Sequence, residues 1–149
     1  MTPKPIYLDV CALSRPFDDQ SFLRIRMETE AVNLILLKAR QGSYGLLVSP
    51  VHIKEIEAID DPVERIKLER LLMGLGRLVI VNTAKTRVRA EELIRLGMGV
   101  ADAAHVAFAE ESGAPFISSD DRLIKKCTKI VTSVWCGNPV AFCEKEELR

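Results

Sequence analysis

Short apolar runs alternate with amphipathic stretches along the whole chain, and this alternation constrains the fold more than any other feature. The runs Ile6-Leu8, Gly45-Val48, Leu78-Val81, Pro115-Ile117 and Ile130-Thr132 read as strands, and the stretches between them carry helical spacing. Strands separated by helices make an α/β domain whose central five-stranded sheet is mostly parallel and flanked by helices. With 149 residues, 48% of them hydrophobic, the chain suffices for one core, and residues 1-149 read as a single domain. No internal repeat, low-complexity segment or long linker interrupts it.

The helices carry readable punctuation. Ile25, Val32, Ile35, Leu36 and Ala39 recur at helical spacing between Phe22 and Arg40, and Gly42 follows as a stop. Ser49-Pro50 and Asp61-Pro62 each place a capping side chain before a proline at the first helical position, which predicts a helical hairpin from Pro50 to Leu75 broken near Asp60. Thr83 is the expected cap of a helix ending at Gly97, Gly99 opens another that runs to Gly113, and Asn138-Pro139 starts a last short one.

Composition narrows the function classes. Lys plus Arg and Asp plus Glu number 21 each, so an anionic partner has to be met by a local basic patch or a cation. The four cysteines are dispersed without a C-x-x-C unit, and no basic leader precedes a long apolar stretch, so the expectation is a reduced, cytoplasmic protein. No apolar run approaches the roughly 20 residues of a membrane span. No G-x-G-x-x-G follows the first strand, which disfavours a dinucleotide site. The aromatic residues do not interleave with basic ones as a base-stacking platform would require.

Acidic residues carry the chemistry. Asp9 and Asp120 each end an apolar run, while Glu55 and Asp102 fall in the first turns of the helices that start near Pro50 and Gly99. In a parallel sheet, strand ends and the helix starts that follow them face one edge, so the four acids can converge. Two unit charges 4 Å apart repel by roughly 4 kcal/mol at an effective dielectric near 20, so such a cluster needs a cation, and oxygen ligands suit Mg²⁺ or Mn²⁺. Each acid also has a plainer reading: Asp9 as a turn residue, Glu55 as a solvated residue rivalled by Glu57, Asp102 as a dipole-complementing first-turn acid. Asp120 and Asp121 compete for one role, either of them being a candidate cap for the helix near Arg122, with Asp121 kept as an auxiliary ligand. His52 and His105 lack zinc-like spacing and read as structural. Glu28 and Glu30 read as solvated, paired with Arg24 and Arg26 along the first long helix.

Four pieces, Ile6-Tyr7-Leu8-Asp9, Ser49-Pro50-Val51-His52-Ile53-Lys54-Glu55, Gly99-Val100-Ala101-Asp102-Ala103-Ala104-His105 and Phe116-Ile117-Ser118-Ser119-Asp120-Asp121-Arg122-Leu123, occur in this order. As an ordered set they resemble the PIN domain family, over nearly the whole chain. The resemblance implies a three-layer fold and a Mg²⁺- or Mn²⁺-dependent ribonuclease, with the VapC-type toxins of toxin–antitoxin pairs among its relatives. It makes Asp9, Asp102 and Asp120 the metal ligands, Glu55 a ligand or proton acceptor, and Ser118 an auxiliary hydroxyl where many members have Thr. It also implies an RNA substrate that Arg24 and Arg26 could touch while Glu30 leans toward the acids, an antitoxin peptide bringing an Arg into the acidic groove, and a homodimer built on the first helices or on the hairpin around Leu71 and Leu72. The chain departs from the pattern after Asp9, where Val10 and Cys11 replace the usual Thr or Ser. A PIN-like module that binds RNA or protein without cutting is the competing expectation. A haloacid-dehalogenase-like phosphatase would need a second acid at Cys11.

Overall fold

The computed structural model describes residues 2–149. Five strands form one sheet in the order β3-β2-β1-β4-β5, and every pairing is parallel. They are β1 (Lys4–Leu8), β2 (Tyr44–Val48), β3 (Arg77–Leu78), β4 (Phe116–Ile117) and β5 (Cys136–Gly137). The helices are α1 (Val10–Leu13), α2 (Leu23–Arg40), α3 (Pro50–Glu57), α4 (Pro62–Leu75), α5 (Thr83–Arg95), α6 (Val100–Glu111), α7 (Asp121–Ile130) and α8 (Pro139–Lys145), with a 3₁₀ turn at Arg15–Phe17.

Side chains alternate across β1 and divide the core in two. Ile6 and Leu8 pack with Val32, Ile35, Leu46, Leu68 and Phe142 on the face covered by α2, α4 and α8. Tyr7 points the other way and joins Leu93, Val106, Phe116, Leu123 and Cys127 under α5, α6 and α7. The result is three layers, as expected. Each large aliphatic side chain so buried contributes roughly 1.5–3 kcal/mol. The chain crosses from β3 on one side of β1 to β4 on the other through α5 and α6, so the direction of winding reverses between β1 and β4. A crevice opens at the carboxyl ends of two such strands.

Most punctuation acts as read. Asp61 caps α4 and Asn138 caps α8, and positive φ at Gly42, Gly97 and Gly113 follows the ends of α2, α5 and α6. Three expectations are corrected. Ile130-Val131-Thr132 is not a strand: Ile130 ends α7, Val131 packs into the core, and the edge strand is Cys136–Gly137, which pairs with Phe116 and Ile117. Pairing of β3 covers Arg77–Leu78 rather than Leu78-Val81, because its partner β2 ends at Val48, whose carbonyl takes a last N–H from Val79 at 2.9 Å. Asn82, not Thr83, caps α5 by accepting the Lys85 N–H at 3.0 Å.

Two glycines at the end of α4 make opposite predictions. A Cβ on Gly76 would lie 2.3 Å from the Val48 side chain and 2.6 Å from the Leu72 carbonyl, whereas one on Gly74 meets nothing within 4 Å. In urea denaturation Gly76→Ala is expected to destabilise by about 1–3 kcal/mol and Gly74→Ala to stabilise by up to about 1 kcal/mol.

Candidate functional site

The carboxyl edge of the sheet carries all four expected acids. Asp9 follows β1 directly, and its N–H donates to the Ile117 carbonyl at 3.1 Å, which ties the tip of β1 to the tip of β4. The Asp9 side chain caps α1, with Oδ1 accepting the Ala12 N–H at 2.9 Å, and is 3% exposed. Asp120 caps α7, its Oδ1 accepting from Arg122 N at 3.0 Å and Leu123 N at 3.2 Å. It is thus both strand-end acid and cap. Asp102 sits half-buried in the first turn of α6, and Glu55 in the second turn of α3.

The fields of these groups overlap. Burial raises the Asp9 carboxyl to about 6, opposed by hydrogen bonding to Ser118 and Ala12 and by His105, and pushed further by Asp102. Burial also raises the Asp102 carboxyl, with Asp120 and Glu55 adding to the rise. Among the described residues, none of Asp9, Asp102 and Asp120 has a Lys or Arg ion-pair partner. The Ser118 hydroxyl is fully buried and accepts the Asp120 N–H at 3.1 Å, and it also acts to lower the Asp9 carboxyl. As the side chains stand, no three His, Cys, Asp or Glu among the described residues are placed to hold one ion. The donor chemistry, oxygen only and short of positive charge, nevertheless suits a hard divalent cation.

Glu55 is held differently. Its carboxylate accepts from His105 Nε2, and that hydrogen bond lowers the Glu55 carboxyl against the effect of burial. Behind it lies a buried polar ladder. His105 Nδ1 is 2.6 Å from the Tyr7 hydroxyl, which is 2.7 Å from Ser49 Oγ. A carboxylate only accepts, so Nε2 carries the proton, and when the ring is neutral Nδ1 accepts from Tyr7 while Tyr7 accepts from Ser49. His52 completes the set: Nδ1 accepts the Ser49 N–H at 3.0 Å, which leaves Nε2–H to donate to the Leu8 carbonyl at 2.6 Å. Burial first, then the charge of His105, pushes His52 down to about 4. Both histidines are buried and hydrogen-bonded, as the structural reading of them expects, but Tyr7 and Ser49 as their partners went unnoticed. The signal available was the Tyr flanked by Ile6 and Leu8, since a buried phenol requires a partner.

The second missed feature is Glu28. It is 2% exposed, not solvated, and its Oε1 receives Arg15 Nε at 3.2 Å and Arg24 Nε at 3.3 Å. Arg24 continues to Asp121, meeting it with both terminal nitrogens at 2.5 and 2.6 Å, so the proposed auxiliary acid is engaged in a bridge between α2 and α7. Arg26 turns to the Gln20 and Ser21 carbonyls rather than to Glu30, and exposed Glu30 borders a groove against α8, away from the acids.

Asp9 makes a pH prediction. Its folded carboxyl, at about 6, lies above the ordinary 3.8, so between those values the native state holds a proton that the unfolded state has lost, and stability falls as pH rises through that window. The cost is complete above pH 6 and is worth about 3 kcal/mol. His52 acts with the opposite sign: its folded value of about 4 lies below 6.5, so its contribution is lost as pH falls from 6.5 to 4. In urea denaturation without divalent ions, Asp9→Asn is expected to be up to about 3 kcal/mol more stable than the parent at pH 7.5, the gain vanishing toward pH 4 and leaving the His52 slope unopposed. A gain independent of pH would contradict this.

The fold has relatives among solved structures. FitAcB from Neisseria gonorrhoeae superposes with a TM-score of 0.56 at 16% identity, covering 90% of this chain and 97% of that one. VapBC2 from Rickettsia felis, solved bound to a DNA fragment from its promoter, gives 0.57 at 13% identity, covering 90% and 98%. PAE2754 from Pyrobaculum aerophilum gives 0.57 at 14%, covering 97% and 90%. At these identities the likeness is one of fold. No curated protein matches the sequence. The model of the PIN domain family matches residues 6–129, the span that holds all four acids and the ladder behind them, and the chain belongs to that family.

Proposed function

We propose that this protein is a Mg²⁺- or Mn²⁺-dependent ribonuclease whose site is the carboxyl edge between β1 and β4. The observation that carries the reading is the gathering there of Asp9, Asp102 and Asp120, partly or wholly buried and without a cationic partner among the described residues. These three would hold the ion. Bound there, a divalent ion supplies an acidified water and polarises the phosphoryl oxygen. Glu55 would accept the proton of the attacking water, and its hydrogen bond to His105 keeps it ionised and oriented for that task. Ser118 would steady Asp9 and Asp120 from below, a role that the missing hydroxyl at Val10 leaves to it alone.

The role proposed for this activity is that of a toxin in a toxin–antitoxin pair working in the cytoplasm. Its support is the family and the likeness to VapBC2 and FitAcB. In this reading an antitoxin peptide lays an Arg among the uncompensated carboxylates. A homodimer forms through the hairpin of α3 and α4, where Ile53, Leu72, Met73 and Leu78 line an apolar groove of about 440 Å³. Among the described residues no helix is long and apolar enough to cross a membrane.

The test compares the protein with Asp102→Asn on a panel of single-stranded and structured RNAs in Mn²⁺, Mg²⁺ or EDTA, with Mn²⁺ binding followed separately by electron paramagnetic resonance. Cleavage is expected to require metal and to fall at least about 100-fold in the variant, together with weaker Mn²⁺ binding. Cleavage that survives EDTA or the substitution overturns the proposal. Mn²⁺ binding without cleavage of any RNA moves the reading to a binding module. Sedimentation should return twice the monomer mass, and Met73→Glu should halve it.

A further inference from the structure

The outer face of α7 holds a concentration of positive charge that the acidic site does not absorb. Arg122, Lys125, Lys126 and Lys129 recur at i, i+3, i+4 and i+7, so they share one side of the helix, and all four are exposed. Leu123 and Cys127 face the other way, into the core beneath. Elsewhere Arg15, Arg24, Lys85, Arg87, Arg89 and Lys145 are held in ion pairs, whereas none of the four cations of α7 has an ion-pair partner among the described residues. The one acid of the helix, Asp121, is already met by both terminal nitrogens of Arg24. Lys126 Nζ reaches a neutral group, the Gly97 carbonyl at 2.8 Å.

Helix stability does not account for this face. Arg122 with Lys126, and Lys125 with Lys129, set like charges at i, i+4, a spacing that weakens a helix. Arg122 also lies in the first turn, where the positive end of the helix dipole opposes a cation; only Lys129, in the last turn, is well placed for it. In a chain with no net charge, uncompensated cations kept against the helix's own preference point to an anion that meets them. The helix starts at Asp120, so the stripe leads away from the acidic edge, over about 10 Å from Arg122 to Lys129. Its field reaches the acids: Lys126 opposes the rise of the Asp102 carboxyl, and Lys125 adds to the lowering of Asp121.

We propose that the outer face of α7 is the track on which single-stranded RNA lies, with Arg122, Lys125, Lys126 and Lys129 contacting phosphates on one side of the bond to be cut. The inference rests on the ribonuclease reading for the identity of the anion. An acidic edge repels a polyanion unless a flanking cationic surface holds it, and α7 carries such a surface up to the edge itself. Phosphate contacts position a strand without reading its bases, in keeping with aromatic residues that do not interleave with the basic ones.

The experiment follows a fluorescently labelled, mixed-sequence single-stranded RNA by anisotropy in EDTA, where no metal-dependent cut occurs, across a salt series. It compares the parent with Lys125→Gln/Lys129→Gln and with Lys4→Gln/Arg40→Gln, a control of equal charge change at the amino edge, where β1 begins and α2 ends. All four side chains are exposed, so the core is untouched in both variants. The α7 variant is expected to bind about 10-fold more weakly at low salt, and its slope of log affinity against log salt to be shallower by about 1.4, roughly 0.7 for each lost phosphate contact. The control should stay within about 2-fold of the parent. Equal losses in the two variants, an α7 variant that binds as the parent does, or a parent that binds no RNA overturns the proposal. The two readings fail separately. RNA bound as expected but cut with no metal removes the nuclease and leaves the track; cutting by an α7 variant whose RNA binding is undiminished removes the track and leaves the nuclease.

Discussion

The hydroxyl of Tyr7 is the interaction on which the arrangement of this molecule turns. It is the one polar side-chain atom that β1 sends into the core, and burial holds the phenol firmly protonated. Its two neighbours come from elements distant in sequence, Ser49 at the start of α3 and His105 in the middle of α6. An unsatisfied buried hydroxyl costs about 1–3 kcal/mol, so the packing of α3 and α6 against β1 is specified by a polar requirement as well as by apolar area. Through His105 the same hydroxyl reaches Glu55, and through Ser49 it reaches His52, which grips the carbonyl of Leu8 just before Asp9. Two acids on separate elements are thereby located by one buried ladder.

Against that order stands a deliberate misfit. A carboxyl 3% exposed and raised to about 6 is an expense to the fold, and replacing it would cost no contact that an amide oxygen could not make. Retention of such a group at the crevice where the sheet reverses its winding fits the general trade between stability and activity. The misfit has a counterpart in Glu28, which is buried yet answered by two guanidinium groups. The contrast is between a buried acid answered by guanidinium groups and one that has no Lys or Arg partner among the described residues.

How much of this was legible depended on whether the cause was local. Asp9 could be placed at a strand tip because it directly follows an apolar run and Asp120 because it closes the run Pro115-Phe116-Ile117-Ser118-Ser119, and Asn138 and Asp61 could be read as caps because a proline follows each. Edge strand β5 was not legible: a Cys-Gly pair has no strand propensity, and it is a strand only because Phe116 and Ile117 offer it a ladder. The β-branched run at Ile130-Thr132 then drew the assignment that tertiary packing overrode. Glu28 looked like one half of a surface pair with Arg24, and that pair does form; its second partner, Arg15, lies beyond any helical periodicity.

The sheet ends at both sides in strands of two residues, β3 and β5. So short an outer rung offers almost no backbone template to a passing strand, which is how natural sheets guard against edge-to-edge growth. The consequence concerns company rather than stability. A partner of this protein has little to gain by adding a strand, and must approach over helix surfaces or along the acidic rim, where recognition is written in side chains and can be tuned one residue at a time.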